Sequence, residues 1–296
     1  VTKETPALNA SNFYAGSDHA VLMLHGLSSS PLEMRHLARY LNSEGFTTWA
    51  PNLHGYSAGT PELRMEAWVT AAVKEFDALS ARYPRVSVCG LSMGATLALA
   101  LVRERPGAQA IVLLSVTLDY DGWAMPWYRF LLGWVYYTPL RYRWRYREEA
   151  PFGLRNEALR AKVGRAMQRN DLSEVGPSSI SVPALHEASR LAASVKNTLT
   201  ALKNDCLLIH AIDDETSSPR NAQFVASNIR STVMRTIYLD DSYHMITSDN
   251  EREIVARETA VFLKESEAAS SAEGGAKPVV SKALARRLRQ MASIGK

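Results

Sequence analysis

The chain has 296 residues, 46% of them hydrophobic and 22% charged, the balance of an ordinary globule long enough for one large domain or a core with an insertion. Two cysteines do not make a disulfide framework and lack metal-ligand spacing, and no apolar run reaches the length of a membrane span. The formal net charge of +4 is local: residues 266–296 hold six basic and two acidic side chains, so the preceding body is neutral and nucleic-acid binding by it is not expected.

Val1 to Asn12 has no apolar h-region, which leads to the expectation of a cytoplasmic protein, although a chain starting at Val leaves an earlier segment open. Ala20 to Leu24 is a continuous apolar run, the mark of a strand buried on both faces. It ends at His25-Gly26-Leu27-Ser28-Ser29-Ser30-Pro31, and Met34, Leu37, Ala38 and Leu41 then recur at helical spacing up to Gly45. A strand over Phe46 to Ala50 follows, then a helix with Trp68, Ala72, Phe76 and Leu79 on one face.

Val86 to Ala100 organises the rest. A β-branched run, Val86-Ser87-Val88-Cys89, leads into Gly90-Leu91-Ser92-Met93-Gly94 and then a helix rich in small residues. G-x-S-x-G at a strand-to-helix turn forces the serine into a strained conformation that lifts its hydroxyl clear of the sheet. Ser92 is therefore the candidate nucleophile. Ala110 to Ser115 reads as a further strand, and this alternation predicts an α/β fold with a mostly parallel sheet covered by helices on both faces.

From Leu118 to about Leu202 the rhythm breaks, in a segment with four of the six tryptophans and helical stretches over residues 154–168 and 182–202. It reads as an inserted helical cap. The sheet resumes with strands at Cys206 to His210 and Met234 to Leu239, with helices over 220–229 and 250–265. The expected division is core over 1–117, cap over 118–203, core over 204–265 and a basic, disordered tail over 266–296.

A serine hydroxyl is a poor nucleophile until a base takes its proton and a carboxylate orients that base. Strand 206–210 ends in Ala211-Ile212-Asp213-Asp214-Glu215, and strand 234–239 ends in Asp240-Asp241-Ser242-Tyr243-His244. The strand-turn-helix at Gly90 to Gly94 resembles the elbow of the α/β-hydrolases, which implies an acid and a histidine from such loops in the order Ser, Asp/Glu, His. His244 is the candidate base, with both aspartates in reach of the acid's role.

At His25-Gly26-Leu27-Ser28-Ser29-Ser30-Pro31-x-x-Met34, Gly90 to Gly94, and Ser242-Tyr243-His244-x-x-Thr247-x-Asp249 the chain resembles the bacterial carboxylesterase and monoacylglycerol-lipase branch of the α/β-hydrolases. The resemblance covers about residues 20–115 and 206–263. It implies Ser92 as nucleophile, His244 as base, and the backbone N–H groups of Leu27 and Met93 as oxyanion hole. Members carry D-x-x-x-x-P-x-x-A, which Asp214 meets through Pro219 and Ala222 while Asp213 does not, so the resemblance implies Asp214 as the acid. Thr216-Ser217-Ser218 departs from it, standing where the family is usually apolar. The implied reaction is cofactor-free hydrolysis of small-molecule or lipid carboxylic esters through an acyl-enzyme. An amidase, thioesterase or acyltransferase with the same residues, or a non-catalytic binding protein of this fold, is the alternative.

The cap holds the apolar stretch Trp127, Phe130, Leu131, Trp134, Val135, Tyr136, Tyr137, followed by Arg141-Tyr142-Arg143-Trp144-Arg145-Tyr146-Arg147. If extended, the second segment puts arginines on one side and rings on the other. One expectation is an ordinary lid, its aromatics packed over the sheet and its arginines facing water or pairing with Glu148 and Glu149. The sharper one makes Trp127, Phe130, Trp134 and Tyr137 the wall of an acyl pocket above Ser92. Arg141, Arg143, Arg145 and Arg147 would then meet an anionic membrane surface.

Overall fold

The computed structural model describes residues 12–126, 130–167, 172–173, 176–177 and 179–272. Seven strands form the central sheet: β1 (Phe13–Tyr14), β2 (His19–Leu24), β3 (Thr47–Trp49), β4 (Arg85–Leu91), β5 (Ala110–Leu114), and, after the cap, β10 (Asp205–Ala211) and β11 (Met234–Leu239). Their order is β1-β3-β2-β4-β5-β10-β11; β1 pairs antiparallel with β3, and every other pairing is parallel.

Period-two alternation divides the strand side chains between two cores. Leu22, Leu24, Val86, Val88, Ile111, Leu113, Cys206 and Leu208 lie in one cluster, together with residues of α2 (Met65–Ser80) and α3 (Met93–Glu104). Val21, Met23, Cys89, Leu91, Val112, Leu114, Leu207 and Ile209 lie in the other, with α1 (Arg35–Ser43) and α8 (Arg252–Ala272). With both faces covered, each inner strand is apolar throughout rather than alternating. Both cysteines, Cys89 on β4 and Cys206 on β10, are free and buried in these cores.

Between β5 and β10 come α4 (Leu132–Val135), β6 (Arg145–Arg147), α5 (Glu157–Met167), β7 (Leu172–Ser173), β8 (Gly176–Pro177), β9 (Ser179–Ser181) and α6 (Val182–Lys196). β6 pairs antiparallel with β9, so the excursion holds short strands as well as helices. Its outer boundary differs from the expected 118–203. Ala188, Leu191, Ala192 and Val195 of α6 are buried in the α2–α3 core, and Leu154 and Val163 lie in the opposite one. An apolar stripe at helical spacing makes α6 a layer of the main domain. α7 (Arg220–Asn228) then links β10 to β11.

The expected start of a disordered tail at Ser266 is also corrected. α8 runs on to Ala272, and its last turns are tied to the sheet's lower edge. Ser266 Oγ donates to Asp205 at 3.0 Å, and Gln109 donates to the Ser266 carbonyl at 3.0 Å. Glu267 meets Arg85 at 2.9 Å and His19 at 3.1 Å. Composition suggested disorder because small and polar residues bury little apolar area; here polar side chains do the anchoring. Residues 273–296, with the rest of the expected tail, lie outside the described residues.

Candidate active site

Ser92 follows the carboxyl end of β4 at φ 57°, ψ −122°, outside the regions comfortable for a residue with a Cβ. The neighbouring glycines make that turn possible. A Cβ on Gly90 would collide with the Gly94 carbonyl, and a Cβ on Gly94 with the carbonyls of Leu24 and His25. A parallel sheet brings the loops after β4, β10 and β11 to one edge, where the sequence placed its three candidates.

Ser92 Oγ lies 2.8 Å from His244 Nε2, and His244 Nδ1 lies 3.0 and 2.8 Å from Asp214 Oδ1 and Oδ2. Asp214 is buried, with Oδ1 also accepting the amides of Thr216 at 2.9 Å and Ser217 at 2.8 Å. Asp213 points elsewhere: its carboxylate is more than half exposed and bridges to Arg155 at 3.1 Å. The loop carrying His244 is pinned by Asp249, which accepts the amides of Tyr243, Arg155 and Asn156, and by Ser115, whose hydroxyl donates to the His244 carbonyl at 2.7 Å.

The Leu27 and Met93 amides donate to no group among the described residues, which suits donors reserved for an oxyanion. The loop bearing Leu27 is held from below. Glu33 accepts the Gly26 amide at 2.8 Å and the Ser29 hydroxyl, and His25 contacts the Gly26 carbonyl and Ser57 Oγ at 2.8 and 2.7 Å. Burial lowers His25 to about 4, so it holds its loop as a neutral ring.

A cavity over Ser92 and His244 is lined by Gly26, Leu27, Glu33, Tyr120, Glu148 and Glu215, among others. Burial pushes Glu33 up to about 7. Burial, and then Glu215, does the same to Glu148, also to about 7. For His244 burial opposes charge, but Asp214, Glu215 and Glu148 outweigh it and raise the imidazole to about 9. Asp214 ends below its ordinary value because His244, His210 and the Ser217 amide overcome its burial. Glu33 escaped the sequence reading, Glu215 was given no role, and Glu148 was expected to pair with the cap arginines rather than to act on His244. A carboxylate next to the acid, as Glu215 is, was the one signal available for any of them.

The expected pocket wall is corrected. Phe130, Trp134 and Tyr137 are 62%, 78% and 79% exposed and do not line the cavity at Ser92, and Trp127 lies outside the described residues. Nor do these three rings pack over the sheet. α4 is one turn long and interrupted by Gly133, too short to bury a face. The neighbouring Tyr136 instead stacks on His186 with centroids 3.5 Å apart, and Arg141 lies over Tyr136 and Tyr142. In the arginine-flanked segment Trp144 and Tyr146 do reach a cavity. With Tyr120, Met125, Pro126, Ile180 and Leu185 they line an apolar pocket that shares Tyr120, Glu148, Ile180 and Thr216 with the cavity over Ser92. From 143 to 147 the alternation holds: Arg143, Arg145 and Arg147 are exposed while Trp144 and Tyr146 are half-buried.

A parallel sheet with a serine at a strained strand-to-helix turn, in line with a histidine and a buried aspartate from later loops, defines an α/β-hydrolase. The sequence profile of the serine aminopeptidase S33 family matches residues 15–251, and the chain belongs to that family. It is 25% identical over 268 residues to a thermostable monoacylglycerol lipase from Bacillus sp. (strain H-257), covering 89% of this chain and 98% of the relative. It is 24% identical over 255 residues to a carboxylesterase of Bacillus subtilis (strain 168), covering 85% and 94%. Among solved structures, a monoacylglycerol lipase of Paleococcus ferrophilus superposes with a TM-score of 0.69 at 17% identity, covering 86% of this chain and 98% of that one.

Proposed function

We propose that the chain hydrolyses carboxylic esters through an acyl-enzyme on Ser92. The observation that carries the reading is the 2.8 Å approach of Ser92 Oγ to His244 Nε2, with Asp214 on the other ring nitrogen. Ser92 Oγ attacks the carbonyl carbon as its proton passes to His244, and the carbonyl oxygen gathers charge beside the Leu27 and Met93 amides. Cleavage of the C–O bond delivers the His244 proton to the leaving alcohol. Water then attacks the acyl-serine by the same route in reverse, releasing the acid and restoring the Ser92 proton.

The named relatives support esters over amides. The apolar pocket beside the cavity, walled by Trp144, Tyr146, Ile180 and Leu185, suits a medium or longer acyl chain. Exposed Phe130, Trp134, Leu140 and Tyr142 beside Arg143, Arg145 and Arg147 suit contact with an anionic lipid surface, where such substrates gather. Among the described residues no helix is long and apolar enough to cross a membrane.

A fluorophosphonate probe should label the wild type and not Ser92→Ala, and Ser92→Ala should lose p-nitrophenyl butyrate hydrolysis by at least about a thousandfold. A folded Ser92→Ala variant with wild-type turnover would overturn the reading.

A further inference from the structure

The polar loop that departs from the family pattern, Thr216-Ser217-Ser218, has a use inside the site. Ser217 is fully buried, and its Oγ lies 3.5 Å from Asp214 Oδ2 and 3.2 Å from Thr117 Oγ1. Thr117, also fully buried, places that same oxygen 3.3 Å from Ser92 Oγ. Nucleophile and acid are thus joined by a second path, Ser92–Thr117–Ser217–Asp214, that does not pass through the imidazole. His210 steadies it from below: fully buried, it puts Nε2 2.8 Å from the Ser217 carbonyl and 3.4 Å from Asp214 Oδ2.

Each hydroxyl has one proton to give. Ser92 gives its proton to His244, whose Nε2 is its shortest partner. Ser217 gives its own to Asp214, the strongest acceptor it meets. The Thr117 proton then has three acceptors: the Ser115 carbonyl at 3.1 Å, Ser217 Oγ at 3.2 Å and Ser92 Oγ at 3.3 Å. All three exceed the usual 2.7–2.8 Å or so of a hydroxyl bond, so none holds it tightly. When Ser92 Oγ surrenders its proton it becomes the most basic of the three.

Resting on the ester-hydrolase reading, we infer that Thr117 is a positioning residue whose hydroxyl turns onto Ser92 Oγ as that oxygen becomes anionic, with Ser217 holding it in range. The same bond serves twice, because Ser92 Oγ bears charge again when it leaves in deacylation. An interaction that strengthens only at the transition state acts on kcat and leaves KM alone.

Thr117→Val removes the hydroxyl at nearly constant shape. With p-nitrophenyl butyrate it should lower kcat roughly tenfold and slow the pre-steady-state acylation burst in proportion, with KM within about twofold and Tm retained. Thr117→Ser should recover most of the rate. Ser217→Ala should give a smaller loss, and Thr117→Val/Ser217→Ala no more than Thr117→Val alone, because the two act in one chain. Wild-type kcat in Thr117→Val, failure of Thr117→Ser to restore the rate, or multiplying losses in the double variant would each overturn the inference. Should Thr117→Val fail to fold, Thr117→Ala removes the same hydroxyl and is read against Thr117→Ser in the same way. Ser92→Ala in the same assay separates the two levels. Its inactivity beside an unimpaired Thr117→Val rejects the hydroxyl path alone, whereas its full activity rejects ester hydrolysis at Ser92.

Discussion

Two adjacent aspartates in one loop meet opposite surroundings. Asp214 is buried against His244, His210 and two amides, whereas Asp213 sits in water beside Arg155. Asp214→Asn should cut kcat by about a thousandfold or more by favouring the wrong imidazole tautomer, as in the serine-protease triad, with Asp213→Asn staying within about twofold. Comparing kcat for the pair is decisive, and reversed sensitivities would move the acid. Residue chemistry also fixes a pH response. Removing one of the negative charges that raise His244 lowers its pKa, so the neutral base persists to lower pH. Glu148→Gln should therefore shift the acidic limb of kcat/KM downward by roughly half a unit. A shift in the other direction would mean that Glu148 does not act electrostatically on His244. Ser92 and His244 stood out as candidates because each sits at a fixed point of a chain-order rule, whereas that rule left Asp213 and Asp214 open and only the family resemblance at Pro219 and Ala222 favoured Asp214. Thr117, Glu33 and Glu148 did not stand out, since their proximity to Ser92 arises only when distant loops converge on one edge of the sheet.

Strands were easier to foresee than their flanking segments. A strand buried on both faces must be apolar throughout, so β2, β4, β5 and β10 stand out by composition alone. The helix over 250–265 was expected, but the extension of α8 to Ala272 was not, because its last turns are held by Ser266 and Glu267 rather than by an apolar stripe. Truncation after Glu265 should therefore lower Tm by several degrees, as it strips His19, Arg85, Gln109 and Asp205 of partners. Truncation after Ala272 should leave Tm within about a degree, and equal melting of the two proteins would show that these contacts contribute nothing. α6 illustrates the opposite error. Its stripe was visible, but no local signal tells whether a helix buries that stripe against the sheet layer or within an insertion. For the apolar stretch around α4 the composition was read and the destination was not, since one turn of helix cannot direct Trp134 inward.

The whole molecule sets an apolar and arginine-bearing outer face apart from the cavity over Ser92, which is lined by Glu33, Glu148 and Glu215. Changing Arg141, Arg143, Arg145 and Arg147 together to Gln should weaken binding to anionic vesicles by about tenfold or more. Hydrolysis of soluble p-nitrophenyl butyrate should be spared, since these side chains lie outside the cavity over Ser92. Vesicle sedimentation checks this, and undiminished binding by the variant would confine the cap to the role of a lid.

The two buried cysteines carry a consequence for how the protein behaves towards thiol reagents. Burial pushes the Cys206 thiol up to about 12 and the Cys89 thiol higher still, so neither forms a thiolate at physiological pH. Cys89 stands only three positions before Ser92, yet maleimide and disulfide reagents should leave it unmodified in the folded protein. The two thiols also lie in opposite cores, on either side of the sheet, so they do not pair with each other. Ester turnover by the folded protein should therefore be insensitive to maleimide, and a loss of turnover on such treatment would show that one of the cores opens.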